Sequence, residues 1–378
     1  MQIMNELTQP VCRAVTNIGG KIGNTNNRER ITSIDALRAI TLLGILFVHT
    51  SQMFGWSNAG EHTGKIGNIF LSLINLLLTN RCNRIFGILF GVSFYLILRN
   101  PTYSTWKFVW RCFLLLIIGI LNKVFYTYDA LMWYGLWGMV LACFRRLPVK
   151  KLWTAFFIVY LVNFIVRYSV DLRDLLFGVE IKVNRYTNSR SLSDVISYPL
   201  WMSIKDYVYA VIEAPLGTLS HFLLGYCIAN SGIIENLKKY VNGLNLIIFT
   251  VLYIILSFIG IRYHIAIFKN IGYLCGSFCY ALLFLLIYYK TFPFFKFLEP
   301  YGKLGLTNYS MQGIVGVILT SLIFIPKQLS FELVLLIMAC FFAVQVLFSI
   351  LWLKKYKYGP FEWIWRSATE RRVIDNRR

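Results

Sequence analysis

The stretch LVLLIMACFFAVQVLFSILWL, residues 333–353, contains no charged side chain. About 20 predominantly apolar residues are enough for a helix to cross the hydrocarbon core of a bilayer. A helix that is apolar on every side has no face suited to water. This stretch therefore predicts a chain that folds in a membrane.

The composition of the whole chain agrees with this prediction. Of its 378 residues, 57% are hydrophobic and only 15% are charged, whereas soluble domains carry roughly 25% charged residues. The 10 Trp and 23 Tyr residues are of the types that favour the membrane–water interface.

Nine further apolar stretches are candidate spans, and there is no strong internal repeat. We therefore predict one all-α domain, a polytopic membrane bundle of about ten transmembrane helices. A shorter amphipathic stretch at 66–79 predicts an interfacial or re-entrant helix after the first span. The nine stretches are 36–54, 85–98, 108–125, 130–144, 152–168, 207–229, 244–261, 271–289 and 304–325.

The polar segments divide the chain into three parts. Residues 1–34 form an amino-terminal segment, 35–353 the membrane domain with an outer insertion at 169–206, and 354–378 a polar tail. With the amino terminus inside, and with residues within the spans counted toward the nearer side, the inner side carries 25 of the 38 Lys and Arg residues. Cytoplasmic loops are rich in such residues, so we expect an inner-membrane protein with both termini in the cytoplasm.

The net charge of +21 does not indicate nucleic-acid binding, because no basic face with interleaved aromatic residues is present. The eight Cys residues include no CxxC pair and no Cys/His zinc spacing, which predicts free thiols and no metal. The sequence does not fix the oligomeric state.

The first span carries the most informative group of polar residues, Asp35, Arg38 and His49. Eleven residues at about 100° each place Arg38 and His49 on one face, roughly 16 Å apart along the axis. Asp35 shares that face. Ionisable residues at such depth usually face a cavity or a partner. We therefore expect both side chains to line one water-filled tunnel, although a membrane anchor at 38 and a structural histidine at 49 are the simpler readings.

This pattern resembles the transmembrane acyltransferase-3 superfamily, whose first helix carries Asp-x-Leu-Arg, ten residues and then His. Three later stretches are similar to its DUF418 (YeiB-like) branch. These are YDALMWYG at 128–135, LGLTNYSMQ at 304–312 and YGPFEWIWR at 358–366. The resemblance covers nearly the whole chain.

The resemblance implies transfer of an acyl group, acetyl by default, from cytoplasmic acetyl-CoA to a glycan or lipid-linked saccharide acceptor on the outer side. His49 would then be the general base or would form an acyl-histidine, and Asp35, on the same helix face, would be a further residue of the catalytic group. Arg38 would contact the CoA phosphates or the thioester. The expected partners are this acceptor and the membrane lipids.

Other residues are candidates for the same site. His62, in the outer loop, competes with His49 because a related lysosomal N-acetyltransferase family places a functional histidine there. Asp129 would orient His49 or bind sugar hydroxyls, or it caps the next helix. Arg81 and Arg84 would bind an anionic group of cofactor or acceptor, or they anchor the chain at the interface.

Five polar residues in two later spans are candidates for substrate binding, namely Glu213, His221, Asn308, Tyr309 and Gln312. Asn308 and Gln312 share a helix face. If they do not bind substrate, they form hydrogen bonds between helices.

Two other functions are compatible with the same residues. A transporter or flippase would use the buried polar groups as a pathway, although inverted repeats and paired broken helices are not evident. A membrane scaffold or sensor would have no catalytic role.

Overall fold

The computed structural model describes residues 32–50, 67, 69, 72, 74, 78–79, 81–125, 129–177, 215–318 and 331–378. Within these residues the regular structure is helical and no strand occurs, apart from one isolated bridge between Tyr356 and Arg377. The prediction of an all-α fold is confirmed.

Fourteen helices are numbered here in chain order within the described residues. The first seven are α1 (Thr32–Thr50), α2 (Cys82–Leu98), α3 (Thr105–Phe125), α4 (Leu131–Leu141), α5 (Val149–Phe177), α6 (Pro215–Asn230) and α7 (Leu237–Tyr240). The others are α8 (Gly243–Arg262), α9 (Ala266–Lys290), α10 (Phe292–Phe295), α11 (Leu298–Lys303), α12 (Gly305–Ile318), α13 (Phe331–Lys355) and α14 (Pro360–Glu370).

Six of these helices, α1, α3, α5, α8, α9 and α13, contain stretches long and apolar enough to cross a membrane in the part of the chain that the structure describes. Cys82–Leu98 and Leu131–Phe144 are shorter apolar helices. Helices α6 and α12 coincide with two more predicted spans, and each adjoins residues outside the described ranges. The membrane-helix character is therefore confirmed, while the number of about ten spans stays a prediction.

Some boundaries differ from the prediction. Helix α5 continues to Phe177, into the segment that we assigned to the outer insertion, and the polar tail contains α14. Polar residues end an apolar stretch, but they do not end the backbone hydrogen bonding of a helix. Of the predicted helix at 66–79, the described residues include an exposed Ile69 and a buried Ile74.

Helix α1 lies inside the bundle, whereas α8 lies at its periphery. In the apolar window of α1, 72% of the residues are buried, compared with 6% in α8. The exposed face of α8 is aliphatic and aromatic, as expected for a surface in contact with lipid chains. The polar residues of α1 are therefore held inside the protein.

Neighbouring helices approach closely at glycines. Helix α2 packs along α6, and α3 packs along α4. A Cβ atom added at Gly225 would overlap the carbonyl oxygen of Ile88, and one added at Gly91 would overlap that of Phe222. Gly119 and Gly135 bring α3 and α4 together in the same way, as small residues do at helix contacts in membranes.

The α2–α6 contact predicts that Gly225→Ala destabilises the protein. Because the added methyl group meets backbone rather than a movable side chain, the cost should reach about 1–3 kcal/mol. Thermal unfolding of the purified protein in detergent measures it. Gly243→Ala is the matched control, since a Cβ at Gly243 meets nothing within 4 Å. Equal melting temperatures for the two variants would contradict this packing.

Candidate functional site

Asp35 and Arg38 form an ion pair at the first turns of α1. The Arg38 guanidinium donates to the Asp35 carboxylate at 2.7 Å and to the Ser93 hydroxyl of α2 at 2.5 Å. The Asp35 side chain is 7% exposed and that of Arg38 27%. Arg38 is thus fixed in orientation yet partly accessible, which suits a cation that receives an anionic ligand.

Helix α11 packs against α1 at this ion pair. A Cβ atom at Gly302 would overlap the carbonyl oxygen of Asp35, so only glycine permits this approach. The same helix carries the buried Glu299, which accepts a hydrogen bond from the Tyr288 hydroxyl at 2.9 Å. Asp35 is therefore within electrostatic range of a second carboxylate, Glu299, and of two cations, Arg38 and Lys303.

His49 lies near the opposite end of α1 and is 6% exposed. It borders a cavity of about 30 Å³ between α1, α12 and α13, which Thr50, Gln312 and Met338 also line. The Tyr309 ring meets the imidazole edge-on, with 5.6 Å between the centroids. The structure thus brings together three of the predicted site residues, His49, Tyr309 and Gln312.

Asp129 lies close to this group through Tyr309. The Tyr309 hydroxyl accepts a hydrogen bond from the Ala130 amide at 3.1 Å. The Asp129 carboxylate accepts from the Leu131 amide at 2.8 Å and from the Asn122 side chain. Burial raises the pKa of Asp129 to about 7, against the opposing effect of these bonds. Asp129 therefore caps α4 through the Leu131 amide, which is one of the roles predicted for it. The neighbouring Ala130 contacts Tyr309, whose ring meets His49.

Arg38 is not among the residues that line the His49 cavity. The described cavity at His49 does not extend to Arg38, and the common tunnel stays a prediction. Leu42 and Ile45, which lie between the two residues along α1, are buried.

The polar residues of α12 form a buried network with α11 and α13. Asn308 donates to the Ser349 hydroxyl and to the Tyr301 carbonyl, each at 3.0 Å, and Gln345 donates to the Asn308 carbonyl at 2.9 Å. Gln312 donates to the Tyr301 hydroxyl at 3.1 Å. The predicted role of Asn308 in hydrogen bonding between helices is thus observed.

Gln345 and Ser349 were missed in the sequence analysis. Both are buried in α13. Their spacing of four residues in an otherwise apolar span was the available signal, because residues at i and i+4 share a helix face.

This network predicts that Asn308→Ala and Ser349→Ala are not additive. Each should cost about 1–3 kcal/mol, because a buried polar partner loses its hydrogen bond. The double variant should cost less than the sum, since both changes remove the same bond. Unfolding of the two single variants and the double variant measures the coupling. Strict additivity would show that this hydrogen bond contributes nothing.

Arg81 and Arg84 contact α8 and α9. Arg81 is buried and donates to the Tyr253 hydroxyl at 3.0 Å, while Arg84 donates to the carbonyl and side-chain oxygens of Asn270 at 2.7 and 2.9 Å. Neither lines the His49 cavity, and their predicted role toward cofactor or acceptor stays a prediction. His221 of α6 packs against Gly87 of α2 and does not line that cavity either.

Glu362 of α14 caps α12 from outside that helix. Its carboxylate accepts hydrogen bonds from the Leu306 amide at 2.7 Å, the Thr307 amide at 3.1 Å and the Thr307 hydroxyl. A carboxylate at a helix amino terminus satisfies free amides and complements the helix dipole. Burial raises the pKa of Glu362, against the opposing effect of these bonds. Glu362 therefore fixes the end of the helix that carries Tyr309 and Gln312.

Glu362 lies in the stretch at 358–366 that is similar to the DUF418 branch, but no role in the site was predicted for it. Its position in the polar tail gave no signal, because no local pattern connects residue 362 with the start of α12.

This cap predicts that Glu362→Ala destabilises the protein by about 1–3 kcal/mol, because several donors lose their acceptor. Glu362→Gln should cost less, since an amide oxygen still accepts from the backbone. Thermal unfolding measures both. The exposed Glu332, in the first turn of α13, provides the control Glu332→Ala. If that control cost as much as Glu362→Ala, the cap would be unimportant.

Two predicted site residues, His62 and Glu213, lie outside the described residues. Their predicted roles remain as stated.

The comparisons with known proteins identify relatives in bacteria. Residues 232–372 match the model of a family described as "Protein of unknown function (DUF418)". The chain is 27% identical to the uncharacterized protein YxaH of Bacillus subtilis, over 91% of this chain and 95% of that protein.

It is 24% identical to an uncharacterized 39.9 kDa protein in the amylase 3′ region of Bacillus acidopullulyticus, over 91% and 95% of the two chains. It is also 24% identical to the uncharacterized protein YeiB of Escherichia coli, over 91% and 97%. No solved structure matches the chain. The chain is thus similar to these proteins along most of its length, and its carboxyl-terminal part matches the DUF418 family.

Proposed function

We propose that this protein is a membrane-embedded acyltransferase related to the acyltransferase-3 superfamily. It moves an acyl group, acetyl by default, from CoA to a hydroxyl or amine of a glycan or lipid-linked acceptor. The observation that carries this proposal is the position of His49, which is buried inside the bundle and borders a cavity beside Tyr309 and Gln312.

In this reaction His49 acts as general base. The acceptor oxygen forms a bond to the thioester carbonyl carbon, the carbon–sulfur bond breaks, and CoA leaves as a thiolate. The proton of the acceptor hydroxyl passes to the imidazole and from there to the thiolate. Gln312 and Tyr309, which adjoin His49, position the reacting groups, and the short path through Tyr309 connects the site to Asp129.

Arg38 is the candidate contact for CoA. Its guanidinium is held by Asp35 and Ser93 but remains partly exposed, so it offers charge to a phosphate without needing to reorganise. Arg38 lies at the amino-terminal end of α1, and the distribution of Lys and Arg supports a cytoplasmic position for this end in an inner membrane. Both chain termini are cytoplasmic in this arrangement.

The cavity beside His49 has room for only one or two water molecules. An acetyl group therefore enters only when α12 and α13 move apart. We accordingly expect the reacting conformation to differ from this closed one at the Asn308–Ser349 contact.

We expect His49→Ala to lower acyl transfer by about 10²–10⁴-fold, because the general base is lost. Purified protein is incubated with radiolabelled acetyl-CoA and a lipid and glycan extract, and label in the acceptor fraction is counted. His264→Asn is the control, since His264 is exposed between α8 and α9 with a φ of 55° that Asn tolerates. His62→Ala is assayed beside it.

If only His62→Ala abolished transfer, the general base would be His62 and not His49.

In the same preparation CoA should raise the unfolding temperature, since a ligand at one hundred times its Kd stabilises by about 2.7 kcal/mol. No transfer and no stabilisation by CoA would favour a transporter.

A further inference from the structure

A second and larger cavity lies between α5 and α9. It has a volume of about 410 Å³ and is lined by Phe156, Tyr160 and Leu161 of α5 and by Ile267, Ile271 and Leu274 of α9. Phe157 and Leu161 are 62% and 52% exposed, so the cavity is a groove that opens sideways from the bundle. Ligand sites have volumes of about 300–1,000 Å³ and mostly apolar walls.

One polar atom is buried in this apolar wall. The Tyr160 hydroxyl is inaccessible to solvent and has no hydrogen-bond partner among the described residues. A buried hydroxyl without a partner lowers the stability of a protein. Its position in the groove therefore points to a ligand that supplies an acceptor oxygen.

A cationic side chain lies near this hydroxyl. The Tyr160 hydroxyl is within electrostatic range of Arg84. The Arg84 guanidinium donates to the carbonyl and side-chain oxygens of Asn270 in α9, at 2.7 and 2.9 Å. This positive charge favours an anionic group at this end of α9.

We propose that this groove binds a membrane lipid with an anionic, phosphate-bearing headgroup. The hydrocarbon chain lies along Leu161, Ile271 and Leu274. An ester or phosphate oxygen accepts the hydrogen bond of Tyr160, and the headgroup charge is met by Arg84. This site is separate from the His49 cavity, so the proposal is independent of acyl transfer.

The experiment uses delipidated, full-length protein in a neutral detergent. Its unfolding temperature is measured against increasing dioleoyl-phosphatidylglycerol, dioleoyl-phosphatidylcholine of the same chains, and glycerol 3-phosphate, which has the headgroup charge and no chain. We expect phosphatidylglycerol to stabilise at the lowest concentration and glycerol 3-phosphate to have no effect.

Tyr160→Phe gives the sharpest test. Because it removes a hydroxyl without a partner, it should leave the lipid-free protein as stable as before or more stable, while weakening the response to phosphatidylglycerol. Tyr263→Phe, at an exposed tyrosine, is its control and should change neither quantity.

Two further variants test the contact with the hydrocarbon chain of the lipid and the contact with its headgroup charge. Leu274→Trp should fill the groove and abolish the response, whereas Ile247→Trp adds the same bulk to the exposed face of α8 and should not. Arg84→Gln should weaken phosphatidylglycerol binding about fivefold, the equivalent of roughly 1 kcal/mol per cation near an anionic lipid. Lys269→Gln, on the side of α9 that packs against α8, is its control and should not. Arg84→Gln provides the charge test even if Leu274→Trp does not fold.

Three results would each overturn the proposal. They are a full phosphatidylglycerol response in Tyr160→Phe, an equal response to phosphatidylcholine in the unchanged protein, and equal stabilisation by glycerol 3-phosphate.

Discussion

Burial of polar side chains in a bundle surrounded by lipid is the constraint on which this structure depends. In hydrocarbon no water is available to a donor or acceptor, so each such group must be satisfied inside the protein. Helix α1 carries Asp35, Arg38, Thr41 and His49 through the centre of the bundle. Asp35 and Thr41 find partners within α1, Arg38 also bonds Ser93 of α2, and the His49 ring contacts Tyr309 of α12.

The same constraint explains how much the sequence could predict. Hydropathy locates the helices, because an apolar stretch of about 20 residues has the length of a membrane-spanning helix. Helical periodicity places Asn308 and Gln312 on one face, and the structure shows both in the network with Tyr301. These predictions rest on local spacing, which a sequence records directly.

Interactions between distant segments could not be predicted in this way. The Glu362 cap joins α14 to the start of α12, and the Arg81–Tyr253 hydrogen bond spans 172 residues. Whether Arg38 and His49 border one open space likewise depends on side chains from several helices, which the spacing along α1 does not record.

The hydrogen bonds between α12 and α13 have a consequence for motion. Apolar helix surfaces in a membrane can separate at little cost, because lipid chains replace the lost contacts. A bond such as that from Asn308 to Ser349 has no replacement in lipid, so separating the two helices carries an enthalpic barrier. Access to the His49 cavity would then slow steeply on cooling, and a substrate able to exchange hydrogen bonds with these side chains would lower that barrier for itself.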